Sequence, residues 1–178
     1  MTTQPKKDAN RAIIDNVWKL GDPATVEATF HKMLLQAKVL KDTAACLYIL
    51  SQIALAQAIQ SNFDDAHKTL DEAEALLTPE YEIARVKILL ERGVFFRQAG
   101  NIQEAIAHLK KAYVFSIEHD LDLAAIEAAH LIAIAAQTPA EKLAWNQRAI
   151  DVAENSNDNQ AKAWLSQLYK ALERDKNG

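Results

Sequence analysis

Five histidines, one cysteine and a few runs of carboxylates are the residues of this chain best suited to chemistry. Metal binding by histidine needs imidazoles at a fixed spacing, commonly one helical turn apart. His31, His67, His108, His119 and His130 fall in different segments and form no such pair. His67 with Asp71, and Glu104 with His108, stand four residues apart, the spacing of ordinary surface contacts on a helix. His119-Asp120-Leu121-Asp122 offers ligands for a cation, although helix capping by the aspartates is the simpler reading. Asn155, Asn157 and Asn159 imitate the start of a calcium loop. Gln160 and Ser166 stand where its glycine and closing glutamate belong, so the segment reads as a turn. Asp64-Asp65 and Asp71, Glu72 and Glu74 read as the solvated face of one helix. Cys46 lies in the apolar run Ala44-Ala45-Cys46-Leu47-Tyr48, which suits a buried thiol, and a single cysteine excludes an internal disulfide or a cysteine-based zinc site. With no Gly-rich phosphate loop and no nucleophile elbow either, the expectation is a protein without catalytic residues, bound metal or cofactor.

Charges set among apolar residues give a different signal. The segment 80–99 carries Arg85, Lys87, Glu91, Arg92 and Arg97 among Leu89, Leu90, Val94, Phe95 and Phe96. The segment 121–136 is almost wholly apolar, yet holds Glu127 and His130 one turn apart. A charge in a covered helix must find a partner or face a water-filled groove. Glu127 therefore either pairs with Arg85 or Arg92, or lines a binding surface. Whether Glu127, Arg92 and His130 form internal pairs or a site is left open by their types and spacing.

The elements that position these residues are helices. The chain has 178 residues, 49% of them apolar and 25% charged, with only 4 glycines and 4 prolines, enough for the core of one domain. A net charge of −4 argues against nucleic acid as a partner. No 18 apolar residues run together, so no membrane span is expected, and Met1 to Asp15 lacks the apolar run of a signal peptide, which points to the cytoplasm. Apolar residues recur at three and four, as in Ile102, Ala105, Ile106, Leu109, Ala112 and Tyr113. Asp22-Pro23, Thr78-Pro79 and Thr138-Pro139 place proline at the first helical position after a cap. Thr138 with Glu141 reads as a capping box, Asn101 with Glu104 as a weaker one, and Gly100 as a helix end. Helices are expected over 8–20, 23–40, 43–60, 63–77, 80–99, 102–118, 121–136, 139–155 and 158–174, joined by short turns that make neighbours antiparallel.

Self-comparison reveals a repeat. Ala37, Ala73, Ala112 and Ala149 end similar four-residue strings and lie 36 to 39 residues apart; seven residues before each stand Phe30, Ala66, Ala105 and Lys142. A helical pair recurring at this length marks an α-solenoid. The stretch from Gly93 through Phe96, Gly100, Ala105 and Leu109 to Ala112 resembles the tetratricopeptide repeat, with small residues where the two helices touch and large ones between hairpins. In the unit at 43–77, Ala54, Ala66, Leu70 and Ala73 fit the same places. Further on, Glu127-Ala128-Ala129-His130, Leu143-Ala144-Trp145-Asn146 and Trp164 to Tyr169 look like a group of uncharacterised bacterial tetratricopeptide proteins. The resemblance implies an all-α, right-handed α-solenoid of about four antiparallel helix hairpins, 8–40, 43–77, 80–118 and 121–155, with a capping helix at 158–174, in a single domain over 1–178. Trp164, Leu165, Leu168 and Leu172 give that last helix the apolar stripe a cap needs, with Lys162, Lys170, Glu173 and Arg174 toward solvent.

With Gly93 at the small-residue position, the concave face is formed by Lys87, Leu90, Val94 and Arg97. Its counterparts are Tyr48, Ser51, Leu55 and Ala58 in the preceding unit, and Ala124, Glu127, Leu131 and Ile134 in the following one. The expected function is non-enzymatic binding of a protein or peptide in that groove. The alternative is a regulatory sensor that binds a small ligand or signal peptide near Glu127, His130 and Trp145. A monomer or weak homodimer is expected, the latter through Val17 and Trp18 on the Met1–Leu20 face.

Overall fold

Asp22 and Asp42 turn their carboxylates back onto the chain and accept from the Thr25 and Ala45 amides at 2.9 Å. Each thereby satisfies an amide that the first helical turn leaves without a partner. Thr138 accepts from the Glu141 amide at 3.2 Å and donates its hydroxyl to the Glu141 carboxylate at 2.8 Å, closing the expected box through the hydroxyl. The computed structural model describes residues 16–177. Most of the helix expected at 8–20, with the Met1 to Asp15 segment, therefore lies outside the described residues.

Among the described residues the chain is all-helical and forms no strand. The helices are α1 Pro23–Val39, α2 Thr43–Ile59, α3 Phe63–Glu74, α4 Glu82–Gln98, α5 Ile102–Glu118, α6 Asp122–Ala135, α7 Pro139–Asn155, α8 Asn159–Ala163 and α9 Leu165–Asn177. None is long and apolar enough to cross a membrane. Several boundaries differ from expectation: α3 stops at Glu74 instead of 77, α9 runs on to Asn177 instead of 174, and two differences have a clear cause. Pro79 does not open α4: the Tyr81 amide bonds the Thr78 carbonyl at 3.0 Å, so Thr78-Pro79-Glu80-Tyr81 forms a turn with proline at its second position. The C-terminal helix comes in two pieces, because the Trp164 amide bonds the Ala161 carbonyl, three residues back, and interrupts the four-residue ladder. Asn101 makes no side-chain cap, and neither does Leu121, which stands at the N-cap of α6 beside Asp120 and Asp122.

One turn recurs. After α1, α2, α4 and α5 a residue takes positive φ: Lys41 (54°), Ser61 (63°), Gly100 (83°) and Asp120 (54°). In each the next amide reaches back five residues, Asp42 to Ala37, Asn62 to Gln57, Asn101 to Phe96 and Leu121 to Ser116, at 2.8 to 3.0 Å. This left-handed closure satisfies the last carbonyls of the helix. Only Gly100 occupies it without a side-chain penalty.

Tertiary contacts gather the chain into two compact units, Met1–Leu77 and Thr78–Gly178. In the first, α1 packs on α2 and α2 on α3. Phe30, Ile53, Ala54, Ala66, Leu70 and Ala73 are fully buried there. Trp18 lies 6.0 Å from the Phe30 ring and donates its indole N–H to Gln52 at 2.8 Å. With Val17 buried as well, the described part of the face expected for self-association packs into its own unit. Gln57 and Gln60 donate to Glu27 at 2.9 and 2.7 Å, and Thr69 to Gln57 at 2.8 Å, so the polar groups beneath α1 are satisfied together.

In the second unit α4 packs on α5, α5 on α6, α6 on α7 and α7 on α9, while α4 also touches α6. Val86, Leu90, Leu109, Ala112, Ala128 and Ile132 form one buried cluster. Ile126, Ala129, Ala149, Ile150, Ala153, Ala161, Leu168 and Leu172 form another, closed by α8 and α9. Lys162, Lys170, Glu173 and Arg174 stay in water, as a capping segment requires. The repeat-register residues Ala37, Ala66, Ala73, Ala105, Ala112 and Ala149 are all buried, whereas Lys142 is half-buried. Gly93 is the tightest point: a Cβ there would stand 2.5 Å from Leu109 Cγ and 3.2 Å from the Ala105 carbonyl oxygen.

Two substitutions of similar size therefore have opposite outcomes. Gly93→Ala gains helix propensity, but overpacking a filled core costs about 1–3 kcal/mol and sets the sign, so a net loss is expected. Ser61→Gly relieves a left-handed side chain and is expected to stabilise by about 1 kcal/mol. Denaturant titration of each variant measures both; a Gly93→Ala protein as stable as the parent removes the close-approach role.

Candidate functional site

In the second unit the expected groove positions on α4 and α6 come together. Leu90 is buried, and Ala124 and Leu131, half-buried, pack against the same cluster. These three join the helices and offer little surface to a ligand. Val94 is half-buried and Ile134 is 46% exposed. Lys87, Glu91 and Arg97 flank Val94 on α4, and Glu127 rises from α6. Lys87 Nζ lies 3.8 Å from Glu91 Oε1 and also acts on the Glu127 carboxylate. The half-buried Arg97 keeps Nε enclosed without a hydrogen-bond partner.

Glu127 is exposed on α6, between the buried Ile126 and Ala128. Loss of hydration pushes its carboxyl above the ordinary value, and the positive charge of Lys87 offsets this only in part. Arg85, one of the two partners considered for it, lies over the Phe115 ring at 5.9 Å. His130, one turn on, faces different surroundings: it meets the Trp164 ring edge-on at 5.8 Å and is influenced by Asn146, Arg174 and Asp175. Trp145 stands edge-on to Tyr113 at 5.3 Å, with the Arg148 guanidinium 4.3 Å above its ring. Glu127, His130 and Trp145 thus have separate sets of neighbours.

In the first unit Tyr48 is 37% exposed on α2, Leu55 is half-buried, and Ser51 and Ala58 are buried. Cys46 is buried too, and loss of hydration raises its thiol pKa, which suppresses the nucleophilic thiolate.

A shallow depression of about 370 Å³ was not anticipated as a cavity. It lies among Tyr113, Asp120, Asp122, Arg148, Asp151 and Asn155. Its carboxylates were visible in the sequence around His119 and Asn155, but their meeting depends on the packing of α7 on α6. Asp122 there accepts from the Ser156 hydroxyl at 2.6 Å, tying the start of α6 to the end of α7 instead of capping its own helix. Among the described residues no group of three or more His, Cys, Asp or Glu could hold a metal ion. Neither a protein-family model nor a curated protein matches the chain.

A carboxyl held above its ordinary value of 4.5 binds protons more tightly folded than unfolded. Its contribution to stability is fullest below that value and is lost as pH rises through the folded pKa. Glu127→Gln is therefore expected to raise the melting temperature at pH 7, with the gain fading as pH falls toward about 4. Melting curves at the two pH values decide this; a lower melting temperature for the variant at pH 7 would show that Lys87 overcompensates.

Proposed function

We propose that the chain is a non-enzymatic binding module, a tetratricopeptide-like right-handed α-solenoid of antiparallel hairpins capped by α8 and α9, acting on a protein or peptide in the cytoplasm. The observation that carries the reading is the α4–α6 surface, where Lys87 and Arg97 flank the half-buried Val94 on α4 and Lys87 acts on the Glu127 carboxylate of α6. Charged groups kept beside apolar contacts at a cost in hydration suit recognition better than folding. Gly93 supports the register from which these positions are counted, since it fills the place where only a small residue fits. Tyr48, Ser51 and Leu55 take the equivalent positions of the preceding repeat. An extended or helical segment with apolar anchors and an acidic group toward Lys87 and Arg97 fits this surface. Nucleic acid does not suit the net charge of −4. The module works as a monomer or weak homodimer.

Selection of a random displayed peptide library on the protein tests the reading. Sequences combining apolar residues with Asp or Glu are expected to emerge. The double variant Lys87→Glu with Arg97→Glu is expected to bind them about tenfold more weakly at low salt, chiefly through the association rate. Because Lys87 lies beside Glu91 and Glu127 and Arg97 is half-buried, its melting temperature is expected to fall too. Lys87→Gln with Arg97→Gln, which adds no negative charge, is therefore measured beside it and is expected to bind more weakly while melting closer to the parent. Affinity equal to the parent's in both variants overturns the surface assignment, and no selected peptide together with stabilisation by a small metabolite would favour the ligand sensor instead.

A further inference from the structure

Between α6, α7 and α9 lies a polar cluster that the binding surface does not use. Asn146 on α7 is only 2% exposed and donates Nδ2 to Asp175 Oδ2 on α9 at 2.8 Å. Asp175, its side chain 15% exposed, also accepts from Arg174 Nε at 3.4 Å. The other end of the Asn146 amide, Oδ1, is buried and stops short of a well-formed hydrogen bond, and so does His130 Nδ1 on α6. A neutral imidazole carrying its proton on Nδ1 complements a carbonyl oxygen, so these two atoms are matched. The Trp164 ring, at the α8–α9 junction, meets the half-buried imidazole edge-on at 5.8 Å. Groups from three helices therefore meet at His130, and the apolar cluster of Ile126, Ile150, Leu168 and Leu172 lies between the same helices.

We propose that His130, with Asn146 and Asp175, forms a proton-sensitive latch that holds the C-terminal helix on α6 and α7 and loosens it when the imidazole becomes charged. The groups facing the ring define the sign. Trp164 and the surrounding apolar contacts exclude water and disfavour the cation, and Arg174 repels it. Asn146 and the Asp175 carboxylate favour it, but burial outweighs them, so the folded imidazole has a pKa below the ordinary 6.5. A histidine shifted this way stabilises the docked state above its ordinary pKa, and that stabilisation is lost as pH falls through the folded value. On the far side of the turn the Tyr169 hydroxyl donates to Glu154, a tie that keeps α9 in reach while its inner contacts open. Loosening uncovers Ile126 and Ile150, so the same event turns a covered face into an adhesive one.

Amide hydrogen exchange of the full chain, corrected for intrinsic rates, tests the latch at pH 7 and near pH 5. Residues of α9 are expected to exchange several-fold faster at the lower pH, while those of α2 and α5 do not. In His130→Gln, which keeps a neutral hydrogen-bonding side chain, the acid-induced change in α9 is expected to vanish. Asp175→Asn removes the carboxylate that favours the cation and is expected to move the transition of α9 to lower pH. Histidine titration by NMR gives an independent reading. A His130 pKa at or above 6.5, or an acid response that persists in His130→Gln, overturns the proposal.

Discussion

Close approach of one helix to another is the constraint from which the rest of the second unit follows. At Gly93 the main chain of α4 meets Leu109 with no room for a methyl group, and Ala105 and Ala112 on α5 are likewise fully buried. Small residues at these points let the backbones draw together, and the larger Val86, Leu90, Leu109 and Ile132 fill the spaces to either side. Once α4 is held in this way its rotation is fixed. Lys87 and Arg97 are carried to one flank and Phe95 to the core, so a single glycine orients charges more than a helical turn away.

Electrostatic economy differs between the two units. Beneath α1, Glu27 receives two amide donors, and its neighbour Gln57 is itself satisfied by Thr69. Such closed networks hold an arrangement with no charge left wanting. The second unit leaves more undone: Arg97 Nε, His130 Nδ1 and Asn146 Oδ1 are enclosed and incompletely bonded, and Glu127 loses water without a close ion pair. The less satisfied groups stand on or beside α4, α6 and α9, where binding and movement are proposed.

Much of the architecture was legible in the sequence because it rests on local rules. The three-and-four spacing of apolar residues, the caps at Asp22 and Thr138, and the buried alanine register all depend on neighbours within two turns. The left-handed closures at Lys41, Ser61 and Asp120 were hidden, since only Gly100 carries the residue that signals such a turn. There the packing of successive helices outweighs a local side-chain penalty. Pro79 misled for a related reason: the Thr-Pro dipeptide that opens α7 at Thr138-Pro139 makes a turn at Thr78-Pro79, and only the following residues decide. The candidate groove positions could be counted from Gly93. That Leu90 is consumed in packing, or that His130 faces Asn146 and Asp175, could not be read from spacing, because those meetings join segments far apart in the chain.

Within each unit, the packing of consecutive helices on one another has a kinetic meaning. Closing a short loop loses little chain entropy, so contacts between consecutive helices form early and require no search through distant pairings. Nucleation can begin at any pair and spread outward, as in an assembly whose parts each recognise only the next. The strongest non-consecutive contact is made by α9, which docks on α7 across the short α8 and shares a cluster with Ile126 of α6. During synthesis α6 and α7 emerge first, and their shared apolar face waits uncovered until α9 has been made. For that interval the nascent chain carries an apolar surface prone to aggregation, and completion of α9 ends the exposure.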